Sequence, residues 1–244
     1  MTDPDEVDPD RLIRAAGDCA LLITPSRHDD VVKLAAALRA RPLDGVCDVL
    51  PAAETVLVTL LSPEYADSVR QQLTVLLRAL RQPAAEQDSD IVSRGTLSDN
   101  DSPDHPLVIP VRYDGADLAE VARLLGIGEA EVVAAHTGTV WQCAFVGFAP
   151  GFGYLESPDG RLTVPRRPQA RTTIPAGAVA LAGGYTAVYP RSTPGGWHLI
   201  GTTDLRMWDV DRETPSLIHA GGFVRFVEQQ GSAELSSANP AGRA

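Results

Sequence analysis

Residues 145–209 read FVGFAPGFGYLESPDGRLTVPRRPQARTTIPAGAVALAGGYTAVYPRSTPGGWHLIGTTDLRMWD, the densest run of glycine, proline and arginine in the chain. Glycines such as Gly151, Gly177, Gly183, Gly184, Gly195 and Gly196 mark places where the backbone bends or lets another group come close. Pro150, Pro165 and five further prolines stiffen the same loops. Between them lie apolar runs of strand size, Val179 to Ala182 and Trp197 to Ile200. The segment reads as short strands carrying long, rigidly shaped loops, a scaffold on which binding sites are commonly built.

Working outward, Leu107 to Tyr113 is a strand interrupted by Pro110, placed at an edge or bulge. Asp117 with Glu120 forms a capping-box-like start for a helix that Gly126 stops, and a short helix from Glu129 to His136 ends at Gly138. This pair is not a DNA-binding helix-turn-helix, because the second helix carries two acids and no lysine or arginine to meet phosphates. Upstream, residues 11–82 alternate strand and helix signals. Cys19 to Thr24, Gly45 to Leu50 and Thr55 to Leu61 are strand-sized. Val31, Leu34, Ala35 and Leu38 repeat at helical spacing behind a Ser26 or Asp29 cap. Ser62 and Pro63 start a second helix, with Tyr65, Val69, Leu73, Leu76, Leu77 and Leu80 on one face. A β-α-β-β-α order predicts a small α+β domain of ferredoxin-like type.

The 244 residues are 44% hydrophobic, enough for one large or two small domains. Net charge is −11, yet residues 1–10 and 83–105 together contribute −10 of it. They read as an acidic, poorly ordered tail and a linker, and the chain after Val227 reads as a second such tail, taken as 229–244. The expected domains are therefore 11–82 and 106–228. The acidity argues against general nucleic-acid binding. Cys19, Cys47 and Cys143 form no CxxC pair and no signal peptide precedes them, which predicts a cytoplasmic protein without a zinc site. No apolar run approaches the roughly 18 residues of a membrane span. Lys33 is the only lysine, so neither a Walker A loop nor a Schiff-base lysine can be assembled elsewhere.

The succession VRYDGADLAEVA, VVAAHTG, VGFAPGFGYLESPDGRLTVPRRPQARTTIPAGAVALAGGYTAVYP, TPGGWHLIGTT and FVRF, from about Leu107 to Val227, resembles the B-subunit family of 5-oxoprolinases. That family also holds KipI-type inhibitors of a sporulation histidine kinase and the first component of so-called allophanate hydrolases. The resemblance implies a cyclophilin-like β-barrel for the C-terminal part, a homologous barrel partner (the C subunit) and a separate A subunit. Together these open 5-oxoproline to glutamate with ATP hydrolysis, ATP entering through the assembled complex and no metal being evident. The alternatives it leaves open are a histidine-kinase inhibitor and half of a biotin-dependent carboxyltransferase. Ala170 and the Thr203-Asp204 pair depart from the family's more usual residues without removing a critical side chain.

A 5-oxoproline site must hold a small anionic substrate and polarise a lactam oxygen, so fixed cations and backbone N–H groups are the parts to seek. Arg161, Arg166, Arg167 and Arg171 lie within eleven residues that contain no acid. Arg166 and Arg167 are the expected anion holders, set against the alternative of arginines on an exposed loop. His136 is the expected proton carrier, or else a helix-end histidine stabilised by the dipole. His198, between Trp197 and Leu199, is placed at the barrel mouth. Phe148, Phe152, Tyr154, Tyr189 and Trp197 border the glycine loops and either wall a pocket, face a partner or serve as core. Gly183-Gly184 and Gly195-Gly196 either present N–H groups to an oxyanion or make tight turns.

Overall fold

Apolar alternation and helical periodicity divide the chain into two packed units, and the computed structural model describes them over residues 12–81 and 102–229, without the side chains of His28, Asp29 and Arg81. The expectations for 1–10, 83–101 and 230–244 lie outside the described residues.

The first unit runs β1 (Ile13–Ala15), β2 (Ala20–Ile23), α1 (His28–Ala40), β3 (Val46–Pro51), β4 (Val56–Leu60) and α2 (Ala66–Arg81). Its sheet is antiparallel in the order β1-β2-β4-β3. Strand β1 adds an edge to the strands the sequence announces. Val56, Val58 and Leu60 alternate inward from β4 and meet Val31, Leu34 and Leu38 of α1 and Val69, Leu73 and Leu77 of α2. Arg27, not Ser26 or Asp29, occupies the N-cap position of α1. Pro63 opens a single 3-10 turn before α2, where its missing N–H costs nothing.

The second unit holds β5 (Leu107–Val111), α3 (Leu118–Leu125), α4 (Glu129–Thr137), β6 (Val140–Val146), β7 (Gly153–Glu156), β8 (Arg171–Ile174), β9 (Ala178–Ala182), β10 (Tyr185–Val188), β11 (Thr193–Gly195), β12 (His198–Thr202) and β13 (Phe223–Glu228). Seven strands are ordered β12-β9-β10-β7-β6-β13-β5, with β13 and β5 parallel. Beyond β5, Arg112 exchanges backbone hydrogen bonds of 2.8 and 2.7 Å with Thr202 at the end of β12, so the sheet nearly closes into a barrel. Its interior is filled by residues such as Trp141, Leu155, Leu181, Val188, Ile200 and Phe226, with Val121 of α3 and Val132 of α4 joining them.

Strand β9 decides what lies on each side of the barrel wall. Val179 and Leu181 point in; Ala178, Ala180 and Ala182 point out and leave room for a second layer. That layer is the two-stranded β8–β11 ribbon with Phe152, Tyr189 and Trp197. Burying Phe152 there contributes about 1.5–3 kcal/mol. Gly183 and Gly184, with φ of 60° and 84°, make the tight β9–β10 turn, and the Gly183 N–H is bonded to the Val164 carbonyl at 2.7 Å. The oxyanion reading of Gly183 is thereby corrected: its donor is already spent.

Candidate functional site

The loop before β8 crosses the end of the barrel as a strap of residues 165–171. Three anchors hold it down. The Pro165 carbonyl accepts from His198 Nε2 at 3.0 Å, the Arg167 N–H donates to the Gly196 carbonyl at 2.8 Å, and both Arg167 and Arg171 grip Asp117. Asp117 stands at the N-terminus of α3, where the sequence suggests a capping box. Its side chain makes no cap bond there. Oδ1 accepts from Arg167 Nη1 and, at 2.8 Å, from Arg171 Nη2, while Oδ2 accepts from the Leu199 N–H at 2.7 Å. The carboxylate is 6% exposed. Burial pushes its pKa up, but the Arg171 and Leu199 hydrogen bonds and the two guanidinium charges outweigh this and hold it below the usual carboxylate range. Glu120, the other half of the expected box, pairs with Arg123.

The arginine cluster is therefore not uncompensated. Asp117 lies fifty positions before Arg167, too far for any local pattern to reveal, and Arg161 pairs with Asp159. Among the described residues Arg166 alone of the four has no acidic partner, and it is exposed. Its charge reaches the hydroxyls of Tyr154 and Tyr189. Burial is the larger influence on both tyrosines and raises them, Tyr189 to about 12.

The predicted aromatics divide by depth. Phe152, Tyr189 and Trp197 are core, Tyr154 is half-buried, and Phe148 is 58% exposed. Phe152 sits at the centre of edge-to-face contacts of 5.0–5.7 Å with Tyr154, Phe148, Tyr189 and Trp197. Phe148 has φ of 64°, the one non-glycine residue with positive φ among those described. Such a backbone costs roughly 1–2 kcal/mol and is found disproportionately at functional sites. Pro150 is exposed beside it, while Gly151 packs on Met207 and Trp208. With Trp208, Ile218 and His219 this loop borders a hollow of about 510 Å³. Gly177 donates to the Tyr189 carbonyl, and Gly195 passes so close to the Tyr189 hydroxyl that a Cβ would lie 2.6 Å from it.

His136 is not at this surface. It is fully buried inside the barrel, stacked on Phe226 at 4.3 Å. Nε2 lies 2.8 Å from Thr186 Oγ1 and Nδ1 lies 2.7 Å from the Tyr113 hydroxyl. Because the Thr186 hydroxyl donates to the Ala180 carbonyl, it accepts from Nε2–H, and the Tyr113 hydroxyl donates to Nδ1. Burial pushes the imidazole down to about 3. It is a neutral core residue, which corrects the expectation that it moves a proton at the groove. His198 is the histidine that touches the strap.

Among the described residues no group of three or more His, Cys, Asp or Glu could hold a metal ion, and no helix is long and apolar enough to cross a membrane. All three cysteines are free thiols, and burial pushes that of Cys143 up to about 12.

Residues 11–218 match the family described as "Carboxyltransferase domain, subdomain C and D". A Bacillus subtilis (strain 168) protein named as the B subunit of 5-oxoprolinase is 33% identical over 224 residues, 88% of this chain and 91% of its own length. An Escherichia coli O157:H7 protein of the same name is 47% identical over 125 residues, which span 50% of this chain and 57% of that protein. The crystal structure of TTHA0988 superposes with a TM-score of 0.63 at 33% identity, covering 91% of this chain but 41% of its own. A nearly complete match to the family and to a relative of similar length thus agrees with the barrel and its strap: the chain belongs to the carboxyltransferase subdomain C and D family, which includes proteins named as the B subunit of 5-oxoprolinase.

Proposed function

We propose that the chain is the B subunit of an ATP-dependent 5-oxoprolinase, opening 5-oxoproline to L-glutamate together with the A and C subunits. In this reading the first unit is ferredoxin-like and the second a cyclophilin-like barrel. The observation that carries the proposal is Arg166, exposed in a proline-stiffened strap and without an acidic partner among the described residues, its charge felt at the hydroxyls of Tyr154 and Tyr189. A guanidinium with no acid to neutralise it suits a small anion, because it offers paired N–H donors to a carboxylate. Arg167 sets the strap's position through Asp117.

The β6–β7 loop favours completion by a second chain. Phe148, Val146 and Trp208 are large apolar side chains exposed around the hollow, and such groupings mark interaction surfaces. The match to TTHA0988, which spans only 41% of that chain, accords with a fold that works beside further protein. We assign ATP to the assembled complex: the strap has no lysine, and Lys33 lines a cleft between the two units instead.

Reconstitution with the A and C partners tests the proposal through 5-oxoproline-dependent ATP hydrolysis and glutamate release. Arg166→Ala is expected to lower turnover at least tenfold, the loss of about 1.4 kcal/mol of interaction, with the thermal midpoint unchanged. Wild-type turnover in that variant would overturn the role of Arg166, and a reconstituted complex without activity would overturn the reaction.

A further inference from the structure

The nest under the strap has more donors and more positive charge than its own residues use. One carboxylate, Asp117, serves two guanidinium groups, leaving one positive charge in excess. Arg167 Nε and Arg171 Nη1 are shielded from solvent with no hydrogen-bond partner. So is Nδ1 of His198, a residue only 3% exposed. Buried polar groups in folded proteins are nearly always paired, so unpaired N–H groups on both guanidinium groups that grip Asp117, with an unpaired nitrogen on His198 next along the chain to the Leu199 N–H that also holds it, point to a missing guest.

These groups share one place in the fold. His198 lies between Gly196, whose carbonyl holds the Arg167 N–H, and Leu199, whose N–H holds Asp117. The Pro165 carbonyl can only accept, so Nε2 of His198 carries the hydrogen, and Nδ1 of the neutral ring is a bare lone pair. The charged groups around the ring are Asp117 and Glu120 from α3 and Arg167 and Arg171 from the strap and β8. Across the sheet its partner is the apolar Leu181. The outer edges of Arg167 and Arg171 remain 29% and 23% exposed, and Pro165, Pro168, Gln169 and Ala170 above them are not buried, so a guest can enter from the strap side.

We propose that this nest binds one small carboxylate through the inward N–H groups of Arg167 and Arg171, and that His198 takes up a proton at Nδ1 as the carboxylate enters. The inference rests on reading the strap as an anion-holding element and adds the ligand class and the coupled proton. A carboxylate only accepts, so it repels the Nδ1 lone pair of a neutral ring and is bonded by Nδ1–H of a protonated one. The proton comes from solvent, and no covalent bond forms or breaks.

The isolated chain can be titrated with acetate and with L-5-oxoproline between pH 5.5 and 8.5, while the assigned His198 ring signals are followed by NMR. Both probes stay ionised over this range, so any pH dependence belongs to the protein. The expected result is saturable binding that weakens about tenfold per pH unit on the alkaline side of the His198 titration, with the ring moving to its protonated position at saturation. His198→Gln keeps an N–H for Pro165 and is expected to bind carboxylate without the pH dependence. Arg171→Gln is expected to bind at least tenfold more weakly. No saturable binding of either probe, equal affinity across the range, or a pH slope that survives in His198→Gln would overturn the inference. An inactive reconstituted complex sinks the proposed reaction while a responsive His198 upholds the nest; an active complex with an unresponsive His198 sinks the nest alone.

Discussion

His136 and His198 are both buried in the second unit, and they meet their surroundings in opposite ways. Both carry the hydrogen on Nε2, given to Thr186 in one case and to the Pro165 carbonyl in the other. At His136 the remaining nitrogen accepts from the Tyr113 hydroxyl, and Phe226 and Trp141 close the ring in. At His198 the remaining nitrogen has no partner, and two arginines with unused N–H groups belong to the same nest. Burial alone therefore does not distinguish a working histidine from a structural one. The unmet valence does, because a satisfied ring in an apolar core has nothing left to offer and a strong reason to stay neutral.

The comparison breaks most visibly in stability. His136→Ala leaves a cavity beside Trp141 and deprives the buried Thr186 hydroxyl and the part-buried Tyr113 hydroxyl of a partner, so about 3 kcal/mol should be lost in urea unfolding. His198→Gln should lose under about 1 kcal/mol, since one of its nitrogens was never paired. If the two losses were reversed, His136 would not be the structural member of the pair.

A smaller effect sharpens the same contrast through pH. The folded His136 is depressed to about 3 from an ordinary 6.5. Between these values the unfolded chain binds a proton that the folded chain does not, so stability is full above about 6.5 and falls as pH drops toward 3. The expected slope is about 1.4 kcal/mol per pH unit, read as unfolding free energy at pH 7.5, 6.0 and 5.0. It should vanish in His136→Gln, and an unchanged slope in that variant would assign the acid sensitivity elsewhere. Smallest of the three is Thr186→Val, which keeps the shape but removes the acceptor for Nε2–H, for a loss of about 1–2 kcal/mol by the same unfolding measurement.

Much of this protein is legible from local pattern. Val69, Leu73 and Leu77 repeat at helical spacing and do form the buried face of α2. The run Val179–Ala182 is a strand buried on both faces, as continuous apolar sequence suggests. Gly183-Gly184 between apolar runs is the tight turn that the residue types allow. The site is legible only in part. Arg167, Arg171 and Gly196 do meet at the strap, whereas the Gly183-Gly184 turn and the β6–β7 loop with Phe148 and Gly151 lie at opposite ends of the paired strands. Asp117, however, reads locally as a helix cap, since Asp followed by Glu three residues later is what a capping box looks like. His136 reads as a surface base because histidine's ordinary pKa is near neutral, and its burial depends on Phe226, ninety residues away.

The sequence by itself determined the helices, most of the strands and the concentration of arginine, proline and glycine in one strap, because all of these follow from short-range sterics and hydrophobic period. Only the tertiary structure decided which charges are spent and which are spare. It brought Asp117 across 50 positions to Arg167 and 54 to Arg171, left Arg166 without an acid among the described residues, filled both nitrogens of His136 and left one of His198 empty. Electrostatic pairing and hydrogen-bond satisfaction depend on distances in space, and those are set by closure of the barrel between Arg112 and Thr202 and by the strap laid across its end.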